Sequence, residues 1–230
     1  MKTKTILLTA ALAAAGIATS KAQTVYSVNS VGFIGLSLGP GYSLMANQLN
    51  NTNNKVSTLF PNMPDDCQLI KWNAASQGFA SADFTAGGVW FDQEFNEATT
   101  TLSPGEGAFF FNPGATSIPV TLVGEVPQGT NLTVNLPANY ALISVITPQA
   151  SPLHTIGFPA TPDMQYITFS SVAQSYSPAY SFVGVQPGFD SGWSDGDFNP
   201  VNPTPAVGEG FFVFNALSPS SWVRSFNVNN

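Results

Sequence analysis

Ser103-Pro104-Gly105-Glu106-Gly107-Ala108-Phe109-Phe110-Phe111-Asn112 returns, at an offset of 103, as Ala206-Val207-Gly208-Glu209-Gly210-Phe211-Phe212-Val213-Phe214-Asn215. Each copy reads as a glycine-punctuated turn that delivers the chain into a strand buried on both faces. An apolar run of aromatic and branched residues this short cannot build a helix. The glycines reach backbone angles that other residues avoid, and the glutamate between them can accept hydrogen bonds from the turn's amides.

Outward from this motif the whole chain repeats. Gly41-Tyr42-Ser43-Leu44-Met45 matches Asn139-Tyr140-Ala141-Leu142-Ile143, and Phe60-Pro61 matches Phe158-Pro159, both at an offset of 98. Cys67 to Trp72 matches Met164 to Phe169 at 97, and Trp90 matches Trp193 at 103. The second copy therefore carries six extra residues between Phe169 and Trp193, within or near 183–192. Each copy reads as a strand (Gly32–Leu38, Thr130–Leu136), a tight turn and a returning strand (Tyr42–Ala46, Tyr140–Ile146). A short helix (Asn54–Phe60, Pro152–Phe158) and two further strands (Gln68–Asn73 and Phe79–Phe84; Gln165–Ser170 and Tyr176–Phe182) follow. A tryptophan-containing loop then leads into the Gly-Glu-Gly strand and a closing strand. Short strands at regular spacing, punctuated by Gly and Pro, predict an all-β chain of two tandem β-sandwich or barrel-like modules, each with one short helix. The modules are expected at 23–126 and 127–230, joined by the short link Glu125-Val126-Pro127-Gln128-Gly129 and packed together.

The string Gly41-Tyr42-Ser43-Leu44-Met45-Ala46-Asn47-Gln48-Leu49, followed by Pro104-Gly105-Glu106-Gly107-Ala108-Phe109-Phe110, resembles secreted bacterial two-repeat β-rich proteins of unknown function. Their modules carry a Gly-aromatic-x-Leu-apolar-x-Asn segment and end in Pro-Gly-Glu-Gly-Phe-Phe. The second copy departs from that pattern, with Asn139 in place of the glycine and Val145 where the first copy has Asn47. The resemblance implies a β-rich fold and an extracytoplasmic address; it carries no activity and no catalytic residues.

Residues 1–22 read as a secretory signal peptide. Lys2 and Lys4 form the positive region, Ile6 to Ile17 the apolar region, and Ser20-Lys21-Ala22 the small-residue cleavage site before Gln23. That apolar run is too short to span a bilayer, and no second one of spanning length follows. The expected location is secreted, periplasmic or at the cell surface. After the leader, three basic residues (Lys55, Lys71, Arg224) face 13 acids, a net charge of −10. Nucleic acid and anionic membrane are thereby poor partners, since both need a basic footprint. Charged residues make up 8% of the chain, against about 25% in an average domain. The surface must then be largely neutral and polar, which suits polysaccharide or cell-envelope contacts, or self-association. Cys67 is the only cysteine, so the fold has no internal disulfide.

Candidate chemistry is sparse. Glu106 and Glu209 could be imagined as a glycosidase carboxylate pair, but they occupy equivalent turns and read better as turn braces. His154, the only histidine, falls opposite Val56 at the repeat offset, and no Gly-x-Ser-x-Gly elbow accompanies it. One histidine and one cysteine cannot fill a zinc shell. Cys67 has Asp65 and Asp66 as neighbours, which oppose a reactive thiolate and favour a buried thiol.

The richest pattern is Trp90-Phe91-Asp92-Gln93-Glu94-Phe95-Asn96, echoed by Trp193-Ser194-Asp195-Gly196-Asp197-Phe198-Asn199. Asp92, Glu94, Asn96, Asp195, Asp197 and Asn199 place oxygen ligands at alternate positions, the kind of set that holds calcium, although the EF-hand glycine and terminal glutamate are missing. Calcium is the one cofactor the sequence offers. Trp90 and Trp193, if they face outward, are platforms for sugar rings; the alternative is a plain loop with its tryptophan and phenylalanine tucked inside. The reading that fits best is a secreted, non-enzymatic binding or structural module. The alternatives are a carbohydrate-active or other hydrolase, and a self-assembling surface-layer or matrix subunit.

Overall fold

The computed structural model describes residues 30–228; the expected leader and the cleavage site before Gln23 lie outside the described residues. The chain is all-β. In the N-terminal half, β1 (Val31–Leu38) and β8 (Ile118–Glu125) form an antiparallel ribbon. A six-stranded sheet orders β2 (Gly41–Ala46), β7 (Gly107–Asn112), β3 (Gln68–Asn73), β5 (Asp83–Ala86) and β6 (Val89–Phe91), with β4 (Gly78–Phe79) paired off β3. In the C-terminal half the ribbon is β9 (Gly129–Leu136) with β18 (Ser220–Phe226). Its six-stranded sheet orders β10 (Asn139–Ser144), β17 (Gly210–Asn215), β11 (Gln165–Ile167), β14 (Tyr180–Phe182), β15 (Trp193–Ser194) and β16 (Pro200–Val201). A small hairpin, β12 (Phe169–Ser170) with β13 (Ser175–Tyr176), stands beside it. The single strands expected at Phe79–Phe84, Gln165–Ser170 and Tyr176–Phe182 are thus broken into shorter pieces. A ten-residue loop, 183–192, joins β14 to β15, whereas Ala86-Gly87-Gly88-Val89 spans the same step in the N-terminal half.

The Gly-Glu-Gly strands sit inside their sheets and are buried on both faces. Alternation explains how. Ala108 and Phe110 of β7 enter a core with Met45, Leu69, Trp90 and Leu122, while Phe109 points to the opposite side. In the C-terminal half Phe211 and Val213 enter a second core with Ile143, Tyr166, Trp193 and Trp222. The two sheets' remaining faces meet in a third core of Leu44, Phe109, Leu142 and Phe212, flanked by Ile70, Trp72, Ile167 and Phe169. The halves therefore share a hydrophobic seam.

The strand-ending asparagines close each motif: Asn112 Nδ2 donates to Leu38 O and Thr116 O, and Asn215 Nδ2 to Leu136 O and Ser218 O. Asn139 replaces Gly41 at a position that needs positive φ (64° and 79°), which asparagine tolerates better than most residues. Val145, fully buried, fills the place of Asn47, whose amide in the first half bonds Leu102 O, Asn54 Oδ1 and Leu49 N.

Only one of the two short helices is α-helical: α1, Val56–Leu59. Its counterpart, Leu153–Ile156, is a 3₁₀ turn. Val56 N donates to Thr100 O and Leu153 N to Pro203 O, so Leu153, and not His154, takes Val56's place. The path from Leu153 to Phe158 then holds one residue more than that from Val56 to Phe60. Gly157, at φ 68°, absorbs it. His154 is left exposed. Among the described residues no helix is long and apolar enough to cross a membrane.

Candidate functional site: an aromatic groove along the seam

The Trp-x-Asp loops are built differently from either sequence expectation. Trp90 and Trp193 are each 1% exposed, and Trp90 Nε1 donates to Phe60 O at 2.8 Å. They are core residues, so as sugar platforms they are corrected: indole area of that size goes inside, and for Trp90 one carbonyl satisfies the N–H. The phenylalanines are what the loops show, Phe95 and Phe198 being 73% and 72% exposed.

Of the groups proposed for calcium, the Asp92 and Asp195 carboxylates are turned onto their own loops. Asp92 Oδ1 accepts from Glu94 N and Asn96 N (3.0 and 2.8 Å), and Asp195 Oδ1 from Asp197 N and Asn199 N (2.9 and 2.8 Å). Asn96 and Asn199 side-chain amides donate back to the same carboxylates. These bonds hold both carboxyls below the usual range, for Asp92 chiefly through the Asn96 backbone and for Asp195 chiefly through the Asn199 side chain. Their contribution to stability is present above the unfolded value and lost as pH falls through the folded one, below about pH 4. Glu94 is exposed, and among the described residues no three His, Cys, Asp or Glu side chains gather to hold an ion. Millimolar calcium should accordingly leave the melting temperature where it is. A rise that Asp195→Asn with Asp197→Asn abolishes would make the loops cation holders after all.

The Gly-Glu-Gly glutamates brace their own turns. Glu106 Oε2 accepts from Ser103 N and Glu209 Oε2 from Ala206 N, both at 2.7 Å. Glu106 also pairs with Lys71 Nζ at 2.8 Å. The two turns nevertheless meet, which the sequence spacing gave no reason to expect: a Cβ on Gly210 would stand 3.2 Å from Gly107 Cα. Cys67 is buried, and burial foremost pushes its thiol up, as expected of an inert side chain. Asp83 is a group the sequence did not single out. It lies buried on β5, its Oδ2 has no protein partner, and burial raises its carboxyl, with a smaller push from Asp92. Its counterpart in the other half's register is Tyr180.

The concave aromatic surface lies elsewhere, on the seam. Each half extends a hairpin across the other half's edge strand. At the tip of β3–β4, Gln77 Oε1 accepts from Tyr140 N (2.9 Å) and its Nε2 donates to Tyr140 O (3.0 Å). At the tip of β12–β13, Gln174 does the same to Tyr42 N and O (2.8 and 2.9 Å). Both glutamines sit at positive φ, 52° and 50°. A side-chain amide thus supplies the donor and acceptor that a further strand would supply, and closes an edge that would otherwise invite pairing. The same edges receive main-chain bonds from the opposite Gly-Glu-Gly turn, Ala46 N to Gly208 O and Ser144 N to Gly105 O, each at 2.9 Å.

Above the clasps lie two clefts of about 380 and 360 Å³. Trp72, Tyr140, Ile167 and Phe212 wall the first; Phe169, Tyr42, Ile70 and Phe109, at the corresponding positions, wall the second. Their ring contacts reciprocate: Trp72 to Phe212 at 5.3 Å and Phe169 to Phe109 at 5.0 Å, both edge to face. Phe79 and Tyr176 each touch both Phe109 and Phe212, so four rings surround an approximate twofold axis. Neither wall carries a charged side chain, and the polar groups are neutral: tyrosine hydroxyls and Ser177. Burial holds the Tyr176 phenol up, keeping it a protonated donor. Sequence reading passed over these residues because each looks like ordinary strand apolarity. The available signal was that β7 is apolar on both faces, which requires a cover on the second one.

No protein-family model, no curated protein and no solved structure matches this chain.

Proposed function

We propose that the protein is a non-catalytic binding module, working outside the cytoplasm, whose ligand lies in the aromatic groove along the seam. One observation carries the reading: two corresponding, uncharged aromatic clefts stand open at the junction of the halves, the kind of place where ligand sites form. The rigid support is present as well, since the groove floor is strand and its rims are pinned by Gln77 and Gln174. The groove walls hold no acid, imidazole or lysine to move a proton, so their chemistry is recognition.

The chain carries its own reporter. Of the four tryptophans, Trp90, Trp193 and Trp222 are at most 1% exposed, and Trp72 is partly exposed in the groove wall. Titration with N-phenyl-1-naphthylamine, a neutral aromatic dye, should quench Trp72 emission and raise dye fluorescence. Phe79→Ala with Tyr176→Ala should weaken binding by about tenfold or more, as loss of two half-exposed ring contacts implies. Absence of any dye signal up to its solubility limit would remove the groove as the site.

A further inference from the structure

We propose that the groove takes a linear, neutral polysaccharide that runs through both clefts and binds in either direction. The inference rests on the groove being the binding site, and goes beyond it in naming the ligand class and the mode of binding.

Continuity of the two clefts is the first observation. Tyr176 borders both, and Phe79, in the wall of one, lies 6.3 Å from Phe212 in the wall of the other. A ligand that fills both meets corresponding positions twice, with tyrosine, isoleucine and phenylalanine matched (Tyr140 and Tyr42, Ile167 and Ile70, Phe212 and Phe109) and Phe169 standing where the other cleft has Trp72. A polymer of like units offers the same face twice; a single small molecule does not.

Openness is the second. Tyr42, Phe79, Tyr140 and Tyr176 remain 39%, 49%, 38% and 49% exposed. A wholly apolar ligand gains most from an enclosed pocket that takes it out of water. An open row of half-exposed rings suits an amphipathic ligand, with one side against the rings and the other in water. A sugar ring has that form: axial C–H groups on its face and hydroxyls around its edge. The phenols of the groove and Ser177 can bond those hydroxyls without charge.

Charge and the state of the backbone select against other polymers. The walls carry no charge, on a chain with 13 acids and 6 bases, so an anionic polymer meets repulsion and no pairing. A peptide that binds by strand addition needs a free sheet edge; one that docks as a proline-rich helix in an aromatic groove does not, and the binding test separates it from a glycan. At Tyr42 and Tyr140 those edge groups are already held by Gln174 and Gln77. A glycan needs none of them.

Direction follows from the axis. Reversing the groove exchanges Tyr42 with Tyr140 and Phe109 with Phe212, and ring for ring also Trp72 with Phe169 and Phe79 with Tyr176; Ser177 alone changes place with an apolar side chain, Ala80. A chain with a reducing and a non-reducing end therefore meets the same order of aromatic contacts either way round.

The test uses the full protein, Trp72 emission, and neutral β-linked glucan oligosaccharides of increasing length. Affinity should climb by on the order of a hundredfold once the oligosaccharide is long enough to engage both clefts, because the second contact becomes intramolecular. Tyr42→Ala and Tyr140→Ala each alter one cleft, and each alone should abolish the length-dependent gain while short oligosaccharides still bind. A spin label on the reducing end should broaden the amide signals of Ala82 and Ala179 alike. Binding of the naphthylamine dye without any oligosaccharide binding would overturn the glycan assignment and leave the groove as the site. Tighter binding of an anionic glycan or an apolar or proline-rich peptide would also overturn it. Length-independent binding, or broadening at one cleft only, would overturn the two-cleft mode. Failure of dye and glycan together would remove the groove reading itself.

Discussion

Phe109→Ala and Phe212→Ala should each lower the unfolding free energy by about 3–5 kcal/mol, and the double variant should lose clearly less than the sum. Each ring is 5% exposed, and the two lie 6.5 Å apart across the seam. The size of the single effects follows from truncating a buried phenyl and leaving a cavity that strands on both sides cannot collapse to fill. The shortfall follows from geometry. Phe79 and Tyr176 lean on both rings, so the first deletion already loosens what the second would remove. Denaturant melts of the four proteins give the coupling directly, expected at about 0.5–3 kcal/mol. Single losses below about 1 kcal/mol would mean that the seam is peripheral and that the halves stand independently. The m-value is a second readout, since separated halves would unfold in steps and lower the apparent slope.

Gly210→Val should be strongly damaging, at about 3 kcal/mol or more. A Cβ there would sit 2.8 Å from Met45 O and 3.2 Å from Gly107 Cα, and both are main chain. Backbone atoms cannot rotate aside as a side chain can, so relief requires the two sheets to move apart. Gly35 provides the comparison on the exposed face of β1, where an added Cβ meets nothing within 4 Å. Gly35→Val should stay within about 0.5 kcal/mol of the parent. If the two variants melt alike, the close approach of the turns is not a feature of the folded protein in solution.

Much of this fold was legible in the sequence. Strand positions followed from alternation and from Gly and Pro punctuation. The all-β class followed from the shortness of the apolar runs, and the bracing role of Glu106 and Glu209 from the amides a tight turn leaves open. The one-residue slip that exposes His154 was hidden, because an added glycine in a turn leaves no periodic trace. The candidate site was largely illegible, for a physical reason. Local sequence states which strand faces are apolar, and leaves open whether such a face is covered by its own half or another's. Trp72 and Tyr176 look no different from Trp90 until the hairpins are placed. In the Trp-x-Asp loops the composition was informative and the direction was not: tryptophan and phenylalanine both accept burial, and the Asx bonds of Asp92 and Asp195 decide which one turns inward.

The crossed edges also set a timetable for synthesis. The N-terminal half leaves the ribosome with its β2 edge and the outer face of its sheet complete but uncovered, because Gln174 and Gly208 are not yet made. At roughly 5–20 residues per second, the hundred or so residues still to come take about 5–20 s. For that interval the nascent chain exposes an apolar face beside an unpaired strand, the combination most prone to join a neighbouring chain. A covering supplied wholly by the C-terminal half, and finished only by Gln174 and Gly208, makes whole-length synthesis a condition of solubility. Truncation after the first half should therefore be felt as aggregation before it is felt as loss of any function.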